Sequence, residues 1–158
     1  MSEPSVAVTV RNARPSDIPN LIDLMREHAA YERAAPPADD VASRLSDLLF
    51  APAPRLHARV AEVDGALVGY TTASLELSTW RAWEYLHMDC LFLREGTRGA
   101  GVGGMLLGAV RQLAIDLGVD EVQWQTPDWN EGAVRFYDRT GAVRRAKQRY
   151  TLVVASVA

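Results

Sequence analysis

The chain has 158 residues, 48% hydrophobic and 23% charged, with a formal net charge of −3. That suits one globular domain with a layered core, and it excludes a disordered chain and argues against a nucleic-acid surface. A single cysteine, Cys90, excludes a disulfide framework and a cysteine zinc cluster. No apolar run is long enough to span a bilayer, and Met1-Ser2-Glu3-Pro4 lacks signal character, so the expectation is a cytoplasmic protein without a metal.

Val6–Asn12 reads as a β-branched opening strand, and Arg14-Pro15-Ser16-Asp17 supplies turn and N-cap chemistry for a helix over Ile18–Arg33. On that helix Leu21, Leu24, Met25 and His28 recur at helical spacing, so His28 reads as a packing residue, while Glu27 and Glu32 form an acidic edge. Residues 34–40 form a loop whose Asp39 and Asp40 cap a second helix, Val41–Phe50, with Leu45, Leu48 and Leu49 inward. Arg55–Val63 and Ala66–Leu77 alternate in polarity around Asp64-Gly65, a hairpin signal. Ser78–Glu84 reads as an irregular connection, with Trp80 and Trp83 available to wall a pocket or pack in the core. Tyr85–Leu93 is an apolar strand containing His87 and Asp89. Gly104–Leu117 is a helix closed by Gly118, Asp120–Thr126 a strand, and Glu131–Thr140 a helix after the Pro127–Asn130 turn. Val143–Lys147 and Arg149–Val154 read as short closing strands. The order β-α-α-β-β-β-α-β-α-β-β predicts one α+β domain over residues 1–158, a mixed sheet with helices on both faces.

Between the apolar strand and its helix lies Arg98-Gly99-Ala100-Gly101-Val102-Gly103-Gly104. Small residues let the backbone turn tightly and bring its N–H groups to a ligand, and the helix adds the positive end of its dipole, which together suit a pyrophosphate. Gly99-x-Gly101-x-x-Gly104 also fits a dinucleotide fingerprint, with Asp116, Asp120 and Glu121 downstream. Most of the chain precedes it, however, where that fold needs several βαβ units to follow. A Walker A loop is excluded, because no Lys-Ser or Lys-Thr closes the turn.

The spacing Arg98-x-x-Gly101-x-Gly103 after Phe92-Leu93 resembles the acyl-CoA pyrophosphate loop of the GNAT N-acetyltransferases. Leu21–Glu32 and Trp129–Ala142 resemble helices of that superfamily's diamine (spermidine/spermine) branch. The resemblance implies a mostly antiparallel, twisted GNAT sheet and a homodimer. It also implies acetyl-CoA as cosubstrate, with direct attack of an amine in a ternary complex. It places the cofactor on Phe92, Leu93, Arg98, Gly99, Ala100, Gly101, Val102, Gly103, Gly104, Asn130 and Phe136. Asn130 also reads as a helix N-cap.

Acetyl transfer needs a neutral amine and a proton for the leaving thiolate. Aligning the central strand with that branch puts Asp89 where the family has a catalytic Glu and Cys90 where it has an Asp. Asp89 is therefore the expected base, with His87 on the same side able to share or replace it. A thiol nucleophile at Cys90 is disfavoured by its buried strand position. Tyr137 resembles the family tyrosine that protonates the thiolate. Glu27, Glu32, Trp83 and Glu84, with Asp39, Asp40 and Asp89, are the candidates for drawing in a small diamine, polyamine or lysine-like amino acid. Arg144–Val154 lacks that branch's aromatic Gly-Trp segment. A peptide amine, an aminoglycoside-type drug and a non-catalytic CoA-binding module stay open.

Overall fold

The hairpin signal at Asp64-Gly65 fixes the middle of the sheet. Both residues have positive φ, 50° and 79°, the backbone a tight hairpin turn requires, and they join β2 (His57–Val63) to β3 (Ala66–Ser78). The computed structural model describes residues 7–156. The opening strand is β1, Val8–Asn12; the expected first residue, Val6, and the segment Met1–Pro4 lie outside the described residues. With β4 (Trp83–Leu93) and β5 (Val122–Trp124) the sheet runs in the order β1-β2-β3-β4-β5, antiparallel throughout except for the parallel pair β4 and β5.

Two helices cover one face. Leu21 and Leu24 of α1 (Ile18–Tyr31) and Leu45 and Leu49 of α2 (Val41–Phe50) pack on Ala58, Val60, Tyr70 and Phe92. The other face receives α3 (Val102–Asp116), whose Val102 and Leu106 pack on Ala61, Val68, Leu91 and Leu93. Apolar burial on both faces of the central strands gives the sheet its layered core. Gly118, at φ 75°, closes α3, as expected of a left-handed C-terminal glycine.

Several boundaries differ from the sequence reading. The stretch Ser78–Glu84 is partly ladder: Ser78 pairs with Trp83 and Leu77 with Glu84, which confines the turn to Thr79–Ala82, with Ala82 at φ 50°. Asp17 does not cap α1 through its side chain; it accepts hydrogen bonds from Arg14 N and Arg11 Nη1, each at 2.7 Å, and so pins the 3₁₀ turn Pro15–Asp17. α1 stops at Tyr31, α3 begins two residues before Gly104, and β5 is shorter than Asp120–Thr126.

The chain falls into two compact units, 1–125 and 126–158. The second contains α4 (Glu131–Asp138), opened by Asn130, whose side chain accepts from Ala133 N at 3.3 Å. The closing strands expected at Val143–Lys147 and Arg149–Val154 are not formed; residues 142–156 have no regular structure. Only Gln148 would separate them, too little chain for a hairpin, and neither has a neighbouring strand in its unit to complete a ladder. No helix among the described residues is long and apolar enough to cross a membrane.

Candidate active site

β4 is irregular at one position. Cys90 pairs with Thr72 and Met88 with Ala73, so Asp89 is an extra residue with no partner on β3. Such a bulge changes which side of the sheet successive residues face. Before it, Leu86 and Met88 are buried; after it, Leu91 and Leu93 join the α3 core while Cys90 and Phe92 join the α1 and α2 core. Asp89 and Cys90 consequently line one cavity of about 380 Å³ beside α1 and α2.

The cavity wall is mostly apolar, from Leu21, Met25, Leu45 and Leu56, with a polar side made by His28, Glu32, Tyr70, Thr72 and Asp89. His28 is buried and stacks on Phe92, ring centroids 5.0 Å apart at 16°. Its Nδ1 lies 2.7 Å from Tyr70 Oη and its Nε2 lies 3.2 Å from Glu32 Oε1. Burial holds the Tyr70 phenol protonated well beyond its ordinary range, reinforced by the nearby Cys90 thiol and by the charges of Asp89 and Glu32. Burial, with the Asp89 charge adding to it, pushes the Cys90 thiol up to about 11. Both causes disfavour the thiolate, the nucleophilic form, near neutral pH. His87 Nε2 stands 3.7 Å from Asp89 Oδ1, so β4 presents an imidazole and a carboxylate together.

At the end of β4 the chain enters the glycine-lined turn. Gly96, Gly99 and Gly101 have φ of 90°, 87° and 78°, a region where only glycine is unstrained. A Cβ built on Gly99, Gly101 or Gly104 meets nothing within 4 Å, so the turn is open at these positions rather than filled by packed side chains. Gly101 caps α3 without any side-chain hydrogen bond, which leaves the first amides of the helix directed at an incoming anion. The guanidinium of Arg98 lies 4.4 Å from the Tyr31 ring centroid, and its Nε donates to Leu93 O at 3.2 Å.

The remaining candidates divide. Glu32 and Asp89 line the cavity; Glu27 does not, and accepts instead from Arg94 Nε at 2.8 Å. Trp83, 56% exposed, and Glu84 stand at the end of the β3–β4 hairpin, and Asp40 is paired with Arg44 at 2.7 Å. The ring of Phe92 is occupied in the core. In the second unit Phe136 and Tyr137 are adjacent on α4, ring centroids 5.2 Å apart. Sequence reasoning missed Tyr70 and gave His28 only a packing role. The available signal was the spacing of His28 and Glu32, one helical turn apart, opposite a strand tyrosine whose hydroxyl needs a buried partner.

A strand broken by a bulge that lines an apolar, carboxylate-bearing cavity and runs on through a glycine-lined turn into a helix N-terminus fits the N-acetyltransferase class. Residues 20–142 match the acetyltransferase (GNAT) family, and the chain belongs to that family. It is 28% identical over 143 residues to the thialysine N-epsilon-acetyltransferase of Bos taurus, covering 85% of this chain and 84% of that one. An L-ornithine N5-acetyltransferase of Arabidopsis thaliana is 34% identical over 79 residues, 50% of this chain and 35% of that protein. Among solved structures, an aminoglycoside N-acetyltransferase in complex with CoA superposes with a TM-score of 0.81 at 16% identity, covering 98% and 100% of the two chains. That likeness is one of fold.

Proposed function

We propose that the protein moves an acetyl group from acetyl-CoA to the primary amine of a small aliphatic molecule: a diamine, a polyamine or a lysine-like amino acid. The observation that carries this reading is the cavity, whose long apolar wall suits a hydrocarbon stem and whose Glu32 and Asp89 suit a cationic head. Relatives named for thialysine and ornithine acetylation support the same substrate class.

The chemistry sets three tasks. The amides of residues 99–104 hold the pyrophosphate of acetyl-CoA, with Asn130 and Phe136 assigned to the cofactor by motif. The amine must lose a proton, since an alkylammonium of pKa about 10.4 is neutral in only about four parts in ten thousand at pH 7. Asp89 and His87 are the candidates on β4 for taking it, directly or through water. The bulge at Asp89 frees backbone N–H groups of β4 from the ladder, and one of them meets the oxyanion. Tyr137, assigned on its motif, protonates the departing thiolate. Attack is direct, a reading supported by the burial that pushes the Cys90 thiol up to about 11. A cytoplasmic homodimer is part of the same proposal.

The test is thiol release from acetyl-CoA against diamines, polyamines, lysine analogues, aminoglycosides and short peptides, with Tyr137→Phe alongside. Turnover of the aliphatic amines, reduced at least about a hundredfold in Tyr137→Phe with CoA affinity unchanged, is expected. CoA binding without turnover of any amine would favour a binding module, and turnover confined to aminoglycosides or peptides would replace the substrate class.

A further inference from the structure

Inside the apolar cavity runs an unbroken chain of polar contacts. Tyr70 Oη is 2.7 Å from His28 Nδ1, His28 Nε2 is 3.2 Å from Glu32 Oε1, and all three residues line the cavity with Cys90 and Asp89. The donors and acceptors can be ordered. A carboxylate only accepts, so Nε2 carries the imidazole hydrogen, Nδ1 is the acceptor, and Tyr70 donates to it. The Cys90 thiol donates to Asp89 Oδ2 at 3.7 Å, so the lone pairs of Tyr70 Oη are left for whatever enters the cavity beside Cys90 and Asp89. The charged and titratable groups facing His28 are Glu32 on its own helix, Tyr70 from β3, and Asp89 and Cys90 from β4. Arg98 stands by Phe92, the ring on which His28 stacks, 5.7 Å from its centroid.

We propose that this chain accepts the proton of the attacking amine, with His28 as the acceptor, Tyr70 as the conduit and Glu32 as the counter-charge. The inference rests on the reading of the cavity as an amine site. The ammonium donates an N–H to Tyr70 Oη while Tyr70 passes its own hydroxyl hydrogen to His28 Nδ1. One N–H bond breaks on the amine and one forms on the imidazole; the phenol exchanges one O–H for another and ends neutral. The positive charge moves to an imidazolium already facing the Glu32 carboxylate, and once the product has left, the Nδ1 hydrogen returns through Tyr70 to water and the starting order of hydrogen bonds is restored. Asp89, 64% exposed in its side chain, then holds the ammonium in place rather than taking its proton.

The experiment compares the pH dependence of kcat on an alkyl diamine for the wild type, Tyr70→Phe, His28→Gln, Glu32→Gln and Asp89→Asn, with melting temperatures and KM for acetyl-CoA measured in parallel. Tyr70→Phe and His28→Gln are expected to lower kcat at pH 7 by about a hundredfold. Their ascending limb should move up towards the amine's own pKa of about 10.4, because only amine already neutral then reacts. KM for acetyl-CoA should not change. Glu32→Gln keeps an acceptor for Nε2 but loses the counter-charge, so it should lose kcat by a smaller factor; standing at the rim of the cavity, it reads the relay even if a core variant fails to fold. Asp89→Asn should raise KM for the diamine and leave the limb in place. A wild-type limb in Tyr70→Phe, His28→Gln and Glu32→Gln, or a limb displaced only in Asp89→Asn, overturns the relay while the amine reading stands. No turnover of any amine by the wild type overturns both.

Discussion

Asp89 and Cys90 are consecutive on β4, yet both line the same cavity. In an unbroken strand they would face opposite sides of the sheet. The unpaired Asp89 makes the difference: beyond it Cys90 and Phe92 pack with α1 and α2 while Leu91 and Leu93 pack with α3. The same irregularity delivers a carboxylate and a thiol to one chamber and separates their chemistry. The Asp89 carboxylate adds to burial in keeping the thiol neutral.

Cys90 should accordingly be inert. A thiol pushed up to about 11 by burial is ionised to about one part in a thousand at pH 8, since a raised thiol pKa favours the neutral form at every pH below it. Iodoacetamide labelling is expected to be slow at pH 8 and to accelerate steeply above pH 10. Cys90→Ala should retain turnover to within about fivefold, and mass spectrometry after acetyl-CoA alone should find no acetyl group on Cys90. An acetyl-thioester there would replace direct attack with a two-step transfer.

The glycine turn can be tested with two substitutions that separate backbone strain from the ligand's space. At Gly101, φ 78°, valine is strained, so Gly101→Val should lower both stability and CoA affinity. Gly104 lies in the first turn of α3 with ordinary helical φ and nothing within 4 Å of a built Cβ. Gly104→Ala should therefore raise stability by up to about 1 kcal/mol while weakening CoA in calorimetry, because the methyl group enters the pyrophosphate's approach. Undiminished affinity in both variants would remove the cofactor from this turn.

How far these features can be read from sequence depends on whether they are local. The turn at Asp64-Gly65, the glycine run after Leu93 and the apolar stripes of α1 and α3 are local patterns, and the structure contains them where the sequence places them. The partnership of His28 with Tyr70 joins residues 42 positions apart through strand register and a bulge that no local pattern announces. The β4 carboxylate was visible as a charge in an apolar run; that the bulge would put it beside Cys90 was not. At the other end, Tyr150 to Val154 alternates and branches like a strand, but a strand exists only with a partner.

Stability towards acid should be carried in part by Asp17. Its carboxylate accepts from Arg11 Nη1 and Nη2 and from Arg14 N, and the Arg11 hydrogen bonds, foremost, hold it below the usual carboxylate range. A carboxylate depressed in the folded state adds stability that is present above its unfolded pKa, about 3.9, and is lost as pH falls through the lower folded value. Arg11 is partly exposed and keeps Glu62 at 2.8 Å, so screening limits the effect. Asp17→Asn is expected to cost about 1–2 kcal/mol in urea unfolding at pH 7, with the gap to wild type closing below pH 4. An equal gap at pH 3 would show that the charge is not what pins the turn.

Substrate recognition by the apolar wall is separable from the chemistry at β4. Ala29 sits one helical residue after His28 and lines the cavity, partly buried, without making any of its polar contacts. Leucine there keeps helix propensity and adds volume towards a chamber of about 380 Å³. Ala29→Leu should raise KM for a long diamine or polyamine by about tenfold or more, the order expected when a hydrocarbon stem loses roughly 1–3 kcal/mol of fit. KM for acetyl-CoA should stay as it was, since the glycine turn is untouched. A series of diamines of increasing length then separates this from a general loosening of α1. If the wall holds the stem, the shortest amines are affected least and the penalty grows with each methylene. A uniform loss across the series, with a lowered melting temperature, would instead place the damage in the packing of α1 on β3.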